Sequence, residues 1–140
     1  MQKLKEGDVF HVVFTISESD MQAFATLSGD TNAIHCDDAY AISYGMKDRV
    51  VYGGLILASV SRLIGMELGG SGWVWQSVSA QFKNPLYLGQ SATTTAKVSY
   101  ASHDLGVYRL KFDVRTDHSL IAQGDAQVGK LTPRGSPSPS

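Results

Sequence analysis

The sequence is short of several features that mark particular classes of protein. It holds one cysteine, Cys36, so no internal disulfide can form and a reducing cytoplasm is the expected location. No apolar run reaches the length of a membrane span, the longest candidate being 55–60. Residues 1–7 carry two lysines with no apolar stretch behind them, so we expect no signal peptide and no membrane association.

Surplus charge and phosphate-binding motifs are missing as well. The net charge of -1 argues against broad electrostatic binding to nucleic acid. Neither a phosphate-binding glycine loop nor a Gly-x-Ser-x-Gly elbow occurs. Three of the four prolines lie in 133–140, whose serine- and proline-rich composition predicts a disordered tail. We therefore expect one folded domain over 1–132.

The first predicted elements are a strand and a short helix. Apolar and polar residues alternate over 9–16, which is typical of a half-buried strand. Ser19 can then cap a helix, and Gln22 can reach back to it. Gly29 is expected to end that helix.

A second short helix and a long apolar one follow. Asp37 or Asp38 can cap the short helix, and Gly45 is expected to end it. After two glycines, the residues over 55–68 are apolar around nearly the whole circumference of a helix. A helix of this kind is expected to be surrounded by protein, and the glycine-rich segment 69–72 ends it.

Four strand patterns come after the long helix with no further helix between them. They centre on 78–82, 94–100, 108–114 and 120–128, and turn-rich spacers separate them. Short spacers of this kind suit hairpins, so we predict an antiparallel sheet.

The number and order of these elements predict the fold class. Small residues on one face of the last strand leave room for a bulky group: Ala122, Gly124 and Ala126. One enclosed helix and five antiparallel strands indicate an α+β protein with a single hot-dog fold, in which the sheet wraps around one long apolar helix.

The polar segment 28–35 carries the clearest chemical signal. It lies between two predicted helices and places a carboxylate, Asp30, five residues before an imidazole, His35. This spacing is poor for two side chains on one helix face. In a loop, however, both groups can converge on one small volume.

A carboxylate and an imidazole supply what hydration of an enoyl thioester requires. A base must take a proton from water during attack at the β-carbon, and imidazole suits this role. An acid must deliver a proton to the α-carbon, which a carboxyl group in a dry pocket can do. Charge on the thioester oxygen also needs donors, and the N–H groups at the start of the long helix, around Gly53 and Gly54, are available.

The same segment resembles a known motif. With the four residues before it, the segment reads Phe24-Ala25-Thr26-Leu27-Ser28-Gly29-Asp30-Thr31-Asn32-Ala33-Ile34-His35. This stretch closely resembles the hydratase motif of the MaoC-like dehydratase and (R)-specific enoyl-CoA hydratase family. A softer likeness continues through 44–45, 49–55, 61–65 and 82–89.

The resemblance implies a set of site residues. Asp30 and His35 would be the catalytic pair, and the amide of Gly53 would be the oxyanion donor. Ser61 falls at a polar pocket position of the family. Asn32 is placed with the substrate-binding residues, although bracing of the loop is its simpler role.

The resemblance also implies activity and partners. It implies (R)-specific, reversible hydration of trans-2-enoyl thioesters of coenzyme A or acyl carrier protein, which makes the chain a lyase. It further implies a homodimer, or a dimer of two such dimers, with no metal and no cofactor beyond the coenzyme A of the substrate.

Two positions depart from the family pattern. Ala33 replaces a proline, which leaves the unfolded chain freer and costs about 0.4–1 kcal/mol of stability. Tyr52 replaces a histidine before the first glycine of the long helix, which could reshape the mouth of the pocket.

Several simpler interpretations compete with catalysis at single residues. Asp30 could only hold the turn after the first short helix, as in an Asx turn. Gly53 and Gly54 could only allow a tight start of the long helix. Cys36 could be a thiol nucleophile, but a small buried cysteine is the simpler interpretation.

Other functions compete for the chain as a whole. The hot-dog fold also hosts acyl thioesterases, and a non-catalytic acyl-binding subunit is a third alternative. A metal site could use Asp30, His35, Asp37 and Asp38, but helix capping explains the last two more simply.

Overall fold

Five strands and four helices make up residues 3–135, the part of the chain that the computed structural model describes. The strands are β1 Val9–Thr15, β2 Trp73–Phe82, β3 Ser91–Ser102, β4 Val107–Arg115 and β5 Leu120–Lys130. The helices are α1 Glu18–Ser28, α2 Ala33–Cys36, α3 Asp38–Ser43 and α4 Gly53–Met66. Of the predicted tail at 133–140, residues 136–140 lie outside the described range.

The strands form one antiparallel sheet in the order β1-β3-β4-β5-β2. In β4 the alternation read from the sequence is observed directly: Tyr108, Leu110, Phe112 and Val114 are all buried. The α+β hot-dog architecture predicted from the element pattern is therefore confirmed.

The small residues of β5 make room for an aromatic ring of β4. Gly124 is directly opposite Phe112 in the sheet. A Cβ atom at 124 would approach the Phe112 ring to 2.8 Å and the Ser79 carbonyl oxygen to 2.0 Å. Glycine is required there because the backbone of β2 and the ring both occupy that space.

Helix α4 lies against the sheet, with its closest packing on β1, β2 and β3. Its buried side includes Ile56, Val60 and Leu63. The opposite side is exposed in this chain at small residues such as Ala58 and Ser61. The expectation that the helix is enclosed all round is thus wrong for the single chain, because the sheet covers only one side of it.

The first short helix begins two residues earlier than predicted. Ser17, and not Ser19, is its cap: the Ser17 Oγ accepts from the Asp20 N–H, and the Asp20 carboxylate accepts from the Ser17 N–H. The capping box is therefore the predicted motif shifted along the chain. Gly29 ends α1 in the left-handed conformation, with φ of 74°.

The segment between the predicted helices contains one further helical turn. Helix α2 spans four residues, and Asn32 caps it by accepting from the Ile34 N–H. Asp37 then caps α3 by accepting from the Tyr40 N–H, which decides between the two predicted caps. No helix within residues 3–135 is both long and apolar enough to span a membrane.

Candidate active site

The histidine of the motif lies on α2 and is held by a backbone carbonyl. The His35 Nδ1 atom is 2.7 Å from the Val50 carbonyl oxygen. A carbonyl can only accept, so Nδ1 carries the proton in this contact. In the neutral ring Nε2 then has a free lone pair, which is the form a general base requires.

Val50 anchors α2 through both of its backbone polar groups. Its N–H donates to the Ile34 carbonyl oxygen at 3.0 Å, while its carbonyl accepts from His35. Val50 also forms an isolated antiparallel bridge with Tyr87. The segment just before α4 therefore fixes α2 and sets the orientation of the imidazole.

His35 and the first residue of α4 line the same cavity. This cavity has a volume of about 360 Å³, and its wall includes both His35 and Gly53. Most of the remaining wall is apolar, with a few polar groups: Met46, Val50, Val51, Ile56, Phe82, Lys83, Asn84, Pro85 and Leu86. Mostly apolar clefts with a few placed polar groups are typical small-molecule sites.

The start of α4 offers unpaired donors to that cavity. The Gly53 and Gly54 N–H groups donate to no acceptor among residues 3–135, as is normal for a helix N-terminus. A Cβ at 54 would come within 2.4 Å of the Phe24 ring. Glycine at 54 thus has a packing reason. Gly53 lines the cavity, and a Cβ there would also crowd the Phe82 ring, at 3.0 Å.

Asp30 lies on the exposed loop between α1 and α2. Its Oδ1 accepts from the Asn32 N–H at 3.0 Å, so the predicted Asx turn is present. Its Oδ2 makes no hydrogen bond within the described chain 3–135, and its backbone carbonyl accepts from the Tyr52 hydroxyl at 2.6 Å. The carboxylate does not belong to the wall of the 360 Å³ cavity. One oxygen braces the turn, and the carboxylate is exposed in this chain. The expectation that Asp30 and His35 share one dry pocket is therefore not met within the described residues, because the loop holds Asp30 outside the cavity that His35 lines.

The two remaining predicted site residues lie apart from the cavity. Asn32 serves as the cap of α2, which is the bracing role. Ser61 is exposed on α4. The buried serine of the helix is Ser59, whose hydroxyl lies 2.6 Å from that of Thr94. Contact of Asn32 or Ser61 with substrate stays a prediction.

Tyr52 connects the two predicted catalytic residues. Its side chain is 2% exposed. Its hydroxyl binds the Asp30 carbonyl, and its ring stacks on the His35 imidazole with centroids 4.2 Å apart. Burial, with a smaller contribution from the Cys36 contact, raises the pKa of Tyr52 to about 12. The sequence marked this position only as a departure from the family pattern.

The residues of the competing nucleophile and metal interpretations make other contacts in the structure. Cys36 is exposed and not buried as expected, with its Sγ 3.5 Å from the Tyr52 hydroxyl. Asp38 accepts from the Arg49 N–H, and Arg49 also pairs with Glu18. Within 3–135 no three His, Cys, Asp or Glu side chains cluster as metal ligands do.

Comparison with known proteins identifies the family. A family model described as a MaoC like domain matches residues 2–115. The chain belongs to the MaoC-like domain family. An (R)-specific enoyl-CoA hydratase of Rhodospirillum rubrum is 37% identical over 127 residues, covering 91% of this chain and 88% of that protein.

Two further proteins are similar to this chain, one in structure and one in sequence. The solved structure of the (R)-hydratase from Aeromonas caviae matches with a TM-score of 0.86 and 28% identity, covering 94% of this chain and 100% of that one. A mitochondrial 3-hydroxyacyl-acyl-carrier-protein dehydratase of Arabidopsis thaliana is 27% identical over 132 residues, covering 93% of this chain and 78% of that protein. The motif at 24–35 of this MaoC-like chain spans the end of α1, the loop with Asp30 and the start of α2 with His35.

Proposed function

We propose that this MaoC-like protein is a lyase that reversibly hydrates trans-2-enoyl thioesters to (R)-3-hydroxyacyl thioesters. The observation that carries the proposal is the cavity shared by His35 and Gly53. Its wall holds both a histidine whose Nε2 has a free lone pair and the first residue of α4, whose N–H is unpaired among residues 3–135. These groups could serve as a base and an oxyanion donor in the proposed reaction. Relatives named as (R)-specific hydratases and 3-hydroxyacyl dehydratases support the same reaction.

The proposed reaction uses each group for one step. His35 Nε2 takes a proton from water as the water oxygen bonds to the β-carbon of the enoyl group. The electrons of the double bond move toward the thioester oxygen, where the Gly53 N–H and the start of α4 stabilise negative charge. Asp30 passes a proton to the α-carbon, and the proton that His35 took from water replaces it. H and OH have then been added across the double bond, and both side chains are back in their starting states. No metal and no cofactor beyond the coenzyme A of the substrate takes part in this proposal.

The proposed assembly is a homodimer formed through β2, located in the cytoplasm. Strand β2 is an edge of the sheet, and within residues 3–135 it pairs only with β5. It carries exposed apolar side chains, including Val78 at 44% and Phe82 at 50% exposure. Unpaired apolar edges are normally covered by a partner. Since Phe82 also lines the cavity, a partner at this edge would border the site.

An absorbance assay with enoyl-CoA thioesters of graded length tests the reaction. We expect loss of the enoyl absorbance and an (R)-3-hydroxyacyl product by chiral analysis. Release of free thiol from saturated acyl-CoA, with no change in enoyl absorbance, would instead select an acyl thioesterase. Tight acyl-CoA binding without turnover would select a non-catalytic acyl-binding subunit.

A further inference from the structure

Tyr52 contacts both Asp30 and His35 and directly precedes Gly53 in the chain. Its ring packs on the His35 imidazole on one side and on Phe24 on another, with centroids 4.2 Å and 4.8 Å away. Its hydroxyl lies 2.6 Å from the Asp30 carbonyl oxygen. Its own carbonyl accepts the Leu55 N–H at 3.0 Å and belongs to the peptide whose N–H is that of Gly53. Tyr52 does not line the 360 Å³ cavity of the proposed reaction; together with His35 and Cys36 it lines a different cavity, of about 200 Å³.

We propose that Tyr52 is the positioning residue that holds the Asp30 loop and the His35 imidazole in a fixed relation to the Gly53 N–H. This inference rests on the proposed hydratase function and adds to it a residue that does not touch substrate. The Tyr52 hydroxyl holds Asp30 by a hydrogen bond to its backbone carbonyl, and the Tyr52 ring holds His35 by stacking on its imidazole.

The hydroxyl is well suited to a fixed structural bond. A phenol hydroxyl can donate one hydrogen bond, and here the Asp30 carbonyl oxygen accepts it. The Cys36 thiol at 3.5 Å can then only donate toward the Tyr52 oxygen. Burial keeps the phenol neutral, since it raises the pKa of Tyr52 to about 12. The donor to Asp30 is therefore present throughout the neutral pH range.

The loop between α1 and α2 has few other hydrogen bonds that hold Asp30 in place. Within the described chain, the Asp30 carboxylate binds only the neighbouring Asn32 N–H, and the Asp30 N–H binds the nearby Ser28 hydroxyl. These are local bonds that move with the loop. Only the Tyr52 hydroxyl ties Asp30 to a buried part of the molecule. A small displacement of a catalytic group can lower the rate by about 10²-fold.

Two substitutions separate the hydroxyl from the ring. Tyr52→Phe removes the bond to Asp30 and keeps the stacking on His35, whereas Tyr52→Leu removes both. Tyr108→Phe is the matched control, because Tyr108 is also buried but lies in the other group of core residues. For each variant we would measure kcat and KM for crotonyl-CoA, the pH profile, and amide hydrogen exchange over 28–36.

We expect Tyr52→Phe to lower kcat about 10- to 100-fold with little change in KM and an unshifted pH profile, because the phenol is neither acid nor base. Exchange over 28–36 should rise about three- to tenfold, as loss of one hydrogen bond allows. Tyr52→Leu should lower kcat further, and Tyr108→Phe should leave both readouts unchanged.

Three results would overturn the assignment. Unchanged exchange over 28–36 would show that the hydroxyl does not hold the loop, whether or not the protein hydrates crotonyl-CoA. Faster exchange with wild-type kcat would show that holding the loop is irrelevant to turnover. A raised KM at constant kcat would make Tyr52 a substrate contact. Absence of wild-type hydration would sink the proposed function separately, since the exchange readout needs no turnover.

Discussion

At the scale of single residues, the sequence predicts a candidate catalytic pair, but it does not show which groups hold that pair in place. Asp30 and His35 stand in a motif whose residue types and order are specific. The carbonyl that fixes His35 belongs to Val50, and a backbone acceptor leaves no side-chain signal. The hydroxyl of Tyr52 reaches Asp30 across 22 positions of the chain, a contact that only the fold creates.

Ala33 lies where the family's proline would fit without loss. It is the first residue of α2, its N–H donates to nothing among residues 3–135, and Asn32 before it has φ of -54° and ψ of 130°. Proline is favoured at this helical position and accepts an extended residue before it. We expect Ala33→Pro to stabilise the protein by about 0.4–1 kcal/mol in urea unfolding.

The control for this substitution lies inside α3. The Ala41 N–H donates to the Asp37 carbonyl, so Ala41→Pro should destabilise by about 3 kcal/mol or more. Destabilisation by Ala33→Pro would contradict the assignment of Ala33 to the first turn of α2.

The buried phenol of Tyr52 makes stability depend on alkaline pH. Burial raises its pKa to about 12 in the folded chain, whereas an unfolded tyrosine titrates near a pKa of about 10. The folded state keeps the proton that the unfolded state loses, so stability falls as the pH rises between these values. We expect the stability advantage of wild type over Tyr52→Phe to shrink between about pH 9 and about pH 11. Urea midpoints at both pH values measure it, and a constant or growing advantage would refute the burial of the ionisable hydroxyl.

At the scale of elements, periodicity predicted the long segments better than their ends. The strict alternation of β4 and the apolar run of α4 are visible because many residues repeat one signal. The four residues of α2 are too few to show a helical period. In β3 the pairing shifts between Val98 and Tyr100. Strict alternation over the predicted strand 94–100 would place Tyr100 on the same face as the buried Val98, but the shift leaves Tyr100 exposed.

The start of α1 gives a sharp test at this scale. Ser17 accepts from the Asp20 N–H, whereas the Ser19 hydroxyl contacts only that of Ser17 among residues 3–135. We expect Ser17→Ala to cost about 1 kcal/mol in urea unfolding. Ser19→Ala should cost less. The reverse order would restore the cap at Ser19 that the sequence suggested.

At the scale of the whole molecule, the single chain leaves one side of α4 and both edges of the sheet open. The sequence predicted an enclosed helix because its residues are apolar on nearly every side. The sheet of one chain covers only part of that surface. A second copy at the β2 edge would account for the apolar residues that remain exposed there, which is the proposed dimer.

Substitution on either edge of the sheet tests that assembly. Light scattering after size exclusion should give wild type twice the chain mass of 15.1 kDa. Val78→Lys on β2 should shift the protein toward monomer, because a charge would be buried at the interface. Val13→Lys on β1, where Val13 is 61% exposed, should remain dimeric. A monomeric wild type, or dissociation by Val13→Lys alone, would disprove the β2 dimer.

The most direct test of the account is the rate of crotonyl-CoA hydration in wild type, Asp30→Asn and His35→Ala, each checked for fold and dimer. We predict that wild type hydrates the substrate. Each substitution should reduce kcat by at least about 10²-fold, the lower range for a positioned acid or base. Wild-type turnover in either folded variant would contradict the assignment of that residue to catalysis.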